Sequence, residues 1–179
     1  TISTKPKIAA QQTSIKTTMG TIAFTVTGIP VYGPMEGPVP PQEAFGDPVF
    51  NNILDTCGGH TGYNADYHHH TIFSVSDCSL QETIVGYALD GFPIYSNPQY
   101  KWKSGYEKTG NPKTNSWDAY TYTGGSSTLD ECNGQKQSDG SYRYYVTQSF
   151  PYVIGCYTGT AQKQSGAAAQ SLNMEHHNS

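Results

Sequence analysis

A repeat that contains all four cysteines constrains the fold of this chain more than any other feature. Residues 54–60 read LDTCGGH and are followed, six residues later, by Tyr67, whereas residues 129–135 read LDECNGQ and are followed, six residues later, by Tyr142. Leu, Asp, Cys, Gly and Tyr therefore match without a gap, and a second Cys follows each copy. Internal self-similarity is typical of folds assembled from related units. We predict two related halves of one sheet system, with the repeat at about 54–87 and 129–157.

The cysteines form an even set without a CxxC pair, which argues against a zinc site built on thiolates. Two disulfides formed in an oxidising compartment are the simpler interpretation, and four reduced, buried thiols are the alternative. If the halves fold alike, the simplest pairs are Cys57–Cys78 and Cys132–Cys156, each closing a loop of about 20 to 25 residues. Pairing across the two halves stays open.

Strand patterns dominate the rest of the chain. Residues 21–27 alternate apolar and small polar side chains with a period of two. Charged residues make up only 13% of the chain and Tyr supplies 14 residues, a balance that favours an extracellular β protein. We predict a mostly β fold, a compact antiparallel sandwich or sheet system with long loops, in a single domain over residues 1–160. Residues 161–179 are predicted to be a linker or disordered tail. Further strands are expected at 67–73, 83–89, 92–95, 119–123, 142–148 and 152–157, and a helical turn only at 42–54.

Charge and hydropathy exclude several partners. The net charge is −4 and the chain has one Arg, so no basic surface for nucleic acid is expected. The longest apolar runs are far shorter than the ~20 residues of a membrane-spanning helix. The chain starts without Met or a signal sequence, so we expect a mature or trimmed protein. A metal ion, a small molecule or a polysaccharide remain as partners, and the oligomeric state is left open.

Four of the six histidines lie within eleven residues, at positions 60, 68, 69 and 70. In a strand, His68 and His70 project to one face about 6.5 to 7 Å apart and His69 projects to the other. His60, returned by a Gly-rich turn, completes a three-imidazole set suited to copper or zinc. Asp55 or Asp66 is a candidate to fix an imidazole tautomer. The alternative is that these histidines only form hydrogen bonds within a polar strand.

Other candidate residues have a simpler structural interpretation. Asp90 precedes Gly91 between apolar segments, which indicates a hairpin turn, and a metal-binding or catalytic carboxylate is the alternative. Asp130 is expected to cap a turn, or else to reach the His site of the neighbouring half. Arg143 occupies the position in the second copy that His68 has in the first. It is a candidate to face the same cleft and bind an anionic substrate.

Five motifs occur in order along the chain: CGGH at 57–60, YHHH at 67–70, GYALDGFPIY at 86–95, LDECNG at 129–134 and FPYVIGC at 150–156. Together they resemble the YHYH domain family of secreted proteins over about residues 50–159. The resemblance implies an extracellular location and a site centred on His60, His68 and His70. We therefore expect a protein that is secreted, periplasmic or at the cell surface. His69 stands where the family usually has Tyr. Arg143 and Tyr145 stand where a second copy would have His, so a second His site is not expected. The resemblance assigns no reaction.

Three function classes follow. The first is a metal-dependent hydrolase or redox enzyme in which copper or zinc keeps an open coordination position. The second is a metal-binding protein without catalysis. The third is a module whose Tyr-rich surface binds carbohydrate or another surface.

Overall fold

The computed structural model describes residues 1–37, 45–62 and 64–162. Strands and short 3-10 turns make up the regular structure of these residues, as the mostly β prediction expected. The strands are β1 (Ile8–Ser14), β2 (Thr21–Thr25), β3 (Pro30–Tyr32), β4 (Gly59–Thr61), β5 (Tyr67–His69), β6 (Ile84–Ala88), β7 (Pro93–Tyr95), β8 (Tyr106–Lys108), β9 (Tyr120–Tyr122), β10 (Gly134–Lys136), β11 (Tyr142–Tyr145) and β12 (Cys156–Gly159), and the 3-10 turns are Pro98–Tyr100 and Trp117–Ala119. In the described part of the chain, no helix has the length and apolar character needed to cross a membrane.

The strands form three sheets. Eight strands make the large sheet, in the order β10-β11-β7-β6-β2-β3-β5-β4, while β1 pairs with β12 and β8 pairs with β9. The large sheet is mixed, because β3 is parallel to β5 and β7 is parallel to β11, whereas we predicted an antiparallel system. Parallel neighbours need long crossover connections, and the long loops after β3 and β7 supply them.

The large sheet has approximate two-fold symmetry about its centre, where β2 pairs with β6. Outward from that pair, β2, β3, β5 and β4 match β6, β7, β11 and β10. The outer hairpin of each half is β4–β5 or β10–β11, and the two hairpins have the same register. His60 lies opposite His68 in the first, and Gln135 lies opposite Arg143 in the second. The alignment of the two sequence copies is therefore also an alignment of structure.

The repeat extends further towards the N-terminus than the cysteine motif indicates. Residues 28–32 read GIPVY and residues 91–95 read GFPIY, and these segments form equivalent turns into β3 and β7. Both turns need glycine because φ is +87° at Gly28 and +91° at Gly91, a region that disfavours a Cβ. The halves thus begin at β2 and β6. The predicted first copy ends with residues 84–87, but these residues lie in β6, which starts the second half. The predicted second copy ends at Tyr157, which lies in β12, and β12 pairs with β1 outside the large sheet.

The first turn of each outer hairpin is held by the Asp of the repeat. One carboxylate oxygen of Asp55 accepts hydrogen bonds from the backbone N–H groups of Cys57 and Gly59, and the other accepts the Tyr67 hydroxyl at 2.6 Å. Asp130 accepts the equivalent bonds from Cys132, Gly134 and Tyr142. The two aspartates therefore stabilise turns, as the capping interpretation of Asp130 predicts.

The disulfides are Cys57–Cys78 and Cys132–Cys156, with sequence separations of 21 and 24, which confirms the pairing expected from the repeat. Each disulfide fixes the start of an outer hairpin to a later segment of the chain. Cys132 is fully buried in the hydrophobic core, and Cys78 is 8% exposed.

The predicted strands are found with shorter bounds, and two regions differ from expectation. Residues 150–153 form a turn before β12, and residues 48–52 form a turn without a helix. Within 42–54, residues 42–44 lie outside the described residues, as do residues 163–179 of the predicted tail. Strand β1 was missed because nearly all its side chains are exposed, so it has no apolar alternation.

Removing either disulfide is expected to lower the free energy of unfolding by about 3 kcal/mol, because each closes a loop of just over 20 residues in the unfolded chain. The variants are Cys57→Ser/Cys78→Ser and Cys132→Ser/Cys156→Ser, measured by urea denaturation. An unfolding midpoint identical to that of the parent protein would contradict the prediction.

Candidate metal centre

Three imidazoles and one carboxylate converge at the edge of the first half of the sheet. His60 comes from β4, His68 from β5, His70 from the residue after β5, and Glu36 from the segment that follows β3. The antiparallel hairpin places His60 opposite His68. Because β3 runs parallel to β5, the segment after β3 passes beside His70.

The four side chains are close enough to share one ion. The Nε2 atoms of His68 and His70 are 3.1 Å apart, and Oε1 of Glu36 is 2.5 Å from Nε2 of His70 and 2.8 Å from Nε2 of His60. One ligand atom from each residue lies within 4.8 Å of all the others. His68 and His70 are almost completely buried, and His60 and Glu36 are partly exposed. The cluster is therefore compact and accessible from one side.

Backbone carbonyls fix the tautomers of the two buried imidazoles. Nδ1 of His68 lies 3.0 Å from the carbonyl oxygen of Asp66, and Nδ1 of His70 lies 2.6 Å from that of Gly33. A carbonyl only accepts hydrogen bonds, so each Nδ1 carries the proton. In the neutral ring Nε2 then presents a bare lone pair, which is the form that binds a metal. Such outer contacts orient imidazole ligands at metal sites.

The centre of the cluster has an excess of acceptors. Two Nε2 lone pairs at 3.1 Å and a carboxylate oxygen in contact with one of them repel each other unless a cation lies among them. Within the described residues, the buried Oε1 of Glu36 and Nε2 of His60 are 2.8 Å apart but not aligned as a hydrogen bond, and neither atom has a well-aligned partner elsewhere. Buried polar atoms are seldom left without a partner. The donor set and its unsatisfied atoms fit a bound cation.

The electrostatics of the site favour charged Glu36 and neutral His68. Burial alone would raise the pKa of Glu36, but contact with His70 and the charge of the neighbouring imidazoles hold that pKa below its usual value. Burial, together with the adjacent His70, lowers the pKa of His68 to about 4. A neutral His68 beside an ionised Glu36 is the state in which both can donate electron pairs to a metal.

Tyr32 supports the cluster from β3. Its ring stacks on the His68 imidazole with centroids 3.9 Å apart and planes 11° apart, and it meets His70 edge-on at 6.0 Å. The ring restricts rotation of the His68 side chain. Two elements of the first half, β3 and the β4–β5 hairpin, thus position the site together.

The predicted carboxylate partners of the imidazoles have other contacts. Asp66 contacts His68 through its backbone carbonyl, and Asp55 holds the turn described above. Asp90 is buried in the core, where its carboxylate accepts hydrogen bonds from the Tyr144 hydroxyl and from the N–H groups of Phe92 and Gly159. Burial raises the pKa of Asp90 despite these bonds. These contacts support the hairpin-and-core interpretation of Asp90.

Arg143 does not face the His cluster, contrary to our expectation. It lies on β11, which is separated from β5 by four strands, or about 24 Å at the usual strand spacing. Its guanidinium packs over the ring of Tyr95, 4.3 Å from the centroid. The symmetry that makes Arg143 equivalent to His68 is also what places it at the far end of the sheet.

His69 projects to the opposite face of β5, as predicted, and is buried there. Its Nδ1 lies 3.6 Å from Sγ of Cys57, and Cys57, Cys78 and His69 form a second close group. Both sulfurs belong to a disulfide, so they are not thiolate ligands. Because His69 lies on the opposite face of β5, it is not part of the cluster formed by Glu36 and the other three histidines.

Glu36 was missed because it lies 24 residues before His60, in a Gly- and Pro-rich segment without a strand pattern. The similarity between GIPVY at 28–32 and GFPIY at 91–95 points to the strand that precedes Glu36. That similarity identifies β3 as the counterpart of β7, and hence as a strand beside the histidines.

Acidification should destabilise the metal-free protein. The pKa of His68 is about 4 in the fold and 6.5 ordinarily, so between these values the folded state binds fewer protons than the unfolded state. The free energy of unfolding should then fall, by on the order of 3 kcal/mol, as the pH decreases from 7 to 4. Urea denaturation with chelator present measures this loss. His68→Asn removes the titrating ring and should show a smaller loss, and an equal loss in both proteins would contradict the assignment.

Comparison with known proteins agrees with this picture. Searches among curated proteins and among solved structures found no match. A family model described as "YHYH protein" matches residues 1–159, which include β1 to β12, both disulfides and the His and Glu cluster. The chain therefore belongs to the YHYH protein family.

Proposed function

We propose that this is an extracellular protein that binds one transition-metal ion, copper or zinc, through His60, His68, His70 and Glu36. The observation that carries the proposal is the convergence of the imidazole Nε2 atoms on Oε1 of Glu36, at distances of 2.5 Å for His70 and 2.8 Å for His60, with Nε2 of His68 3.1 Å from that of His70. Imidazole nitrogen suits both metals, and copper has the higher intrinsic affinity. Protons compete with the metal for the imidazole nitrogens, so the affinity for the metal should increase as the pH rises.

The two disulfides support the proposed location. Stable disulfides form in oxidising compartments such as the cell exterior or the periplasm. The two disulfides are structural bonds, because Cys132 is buried in the core and each bond lies at the start of an outer hairpin.

The number of protein ligands on the metal distinguishes a protein that only binds the metal from a metal-dependent enzyme. Three imidazoles and Glu36 together would fill a tetrahedral zinc site, which favours binding without catalysis. If Glu36 stays outside the coordination shell, or if the metal is copper with a larger shell, a position remains for water or substrate. A metal with such a position supplies Lewis-acid chemistry or, for copper, redox chemistry.

Metal analysis of protein purified without a His tag tests the proposal. We expect about one equivalent of copper or zinc in the native chain by plasma mass spectrometry and almost none in His60→Ala/His68→Ala, because two of the three imidazoles are lost. The matched control is Gln135→Ala/Arg143→Ala, which changes the equivalent pair of the second half and should keep the metal. No metal in the native chain, and none after reconstitution, would rule out the proposed site.

Glu36→Gln tests the role of the carboxylate. The change keeps the size of the side chain and removes its charge, so the affinity for the metal should fall by about 10- to 100-fold. Competition with a chelator of known affinity measures this change, and thermal unfolding of the metal-free variant checks the fold. An affinity equal to that of the parent would exclude Glu36 as a ligand or charge partner.

A further inference from the structure

The second half of the sheet carries a basic groove where the first half carries the His cluster. The groove has a volume of about 600 Å³ and is lined by residues from the N-terminal segment, β7 and the β10–β11 hairpin. Lys7, Lys136 and Arg143 all line it, so three of the ten Lys and Arg residues of a chain with net charge −4 lie in one place. Among the described residues that line the groove, none is acidic.

The groove is built to present Arg143 in a fixed orientation. The guanidinium packs on the Tyr95 ring, and stacking of this kind uses the face of the guanidinium and not its edge N–H groups. A guanidinium held in this way binds a carboxylate or sulfate through two parallel hydrogen bonds. Asp139 in the hairpin turn is close enough to Arg143 for their charges to interact, and its Oδ1 is directed into the turn, where it accepts hydrogen bonds from the Ser141 N–H at 2.9 Å and the Ser141 hydroxyl at 2.6 Å.

An apolar row continues from the groove across the sheet. Pro93, which lines the groove, lies directly opposite Tyr87, Tyr87 lies opposite Phe24, and Phe24 lies opposite Pro30. Residues directly opposite each other on neighbouring strands share one face. The row therefore crosses four strands and spans about 14 Å. Tyr87 is 39% exposed and the other three are partly exposed, so the row is accessible to solvent.

We infer that the groove and this apolar row form a binding surface for an acidic polysaccharide, a polymer that carries carboxylate or sulfate groups. The C–H faces of sugar rings pack on the Tyr, Phe and Pro faces of the row. The anionic groups pair with Arg143, Lys136 and Lys7. Charge complementarity selects an acidic polymer over a neutral one, since the groove is positive on a protein that is negative overall.

The inference is independent of the metal proposal, because the groove residues lie at the opposite end of the sheet from the His cluster. The apolar row does point towards the His cluster. It ends at Pro30 of β3, two residues before Tyr32, and Tyr32 stacks on His68. A polymer bound along the row would extend towards the cluster.

Isothermal titration of the full chain with polygalacturonate oligomers, in the presence of chelator, tests the inference. The matched neutral ligand is dextran. We expect binding of polygalacturonate that weakens with added salt, and no binding of dextran. Arg143→Gln should weaken the binding about tenfold, and Tyr87→Ala should weaken it about fivefold. Lys113→Gln, an exposed charge outside the groove, should leave it unchanged.

Arg143→Lys separates the planar guanidinium from charge alone, and its affinity should lie between those of the parent and Arg143→Gln. If Arg143 variants fail to fold, as judged by thermal unfolding, the exposed Lys136→Gln tests the same groove. Equal binding of dextran, equal binding of duplex DNA, affinity insensitive to the groove variants, or no binding of polygalacturonate would each overturn the inference. Because chelator is present throughout, these outcomes leave the metal proposal untouched.

Discussion

The antiparallel pairing of β2 with β6 joins the two halves of the large sheet, and the positions of the His cluster and of the basic groove depend on it. The backbones approach closely there, since a Cβ on Gly86 would lie 2.5 Å from the carbonyl oxygen of Phe24. This pairing sends each outer hairpin to an opposite edge. The His cluster and Arg143 are consequently separated by most of the width of the sheet, although both descend from one repeat.

The halves share a backbone and differ in chemistry. Each hairpin has an Asp that holds its first turn and a Tyr that donates to that Asp. On the outward face the first hairpin presents imidazoles, and the second presents Gln135 and Arg143 at the equivalent positions. The structural residues of the repeat are thus separate from the residues that distinguish its two sites, because the turn contacts lie within the hairpin and the variable side chains project from it.

Local features of the chain were predicted well from sequence, and long-range ones were not. Strand alternation was sufficient to place His68 and His70 on one face and His69 on the other. The repeat indicated the disulfide pairs and left pairing across the halves open, and the structure decides between them. Glu36 depends on the parallel pairing of β3 with β5, which no local pattern reveals. Arg143 was misplaced for a related reason, since similarity between two segments does not say whether they converge or lie at opposite edges.

One consequence of the Cys57–Cys78 disulfide concerns the unfolded chain. All three imidazoles lie between these cysteines, so the oxidised chain keeps them inside one covalent ring even when the sheet is absent. The entropic cost of gathering three histidines around an ion is already reduced in that ring. An ion that binds both states stabilises the fold less than one that binds the native state alone. Of the four residues in the cluster, Glu36 alone lies outside the ring. Folding therefore adds Glu36 to the histidines, together with Tyr32 and the Gly33 carbonyl that orient His68 and His70.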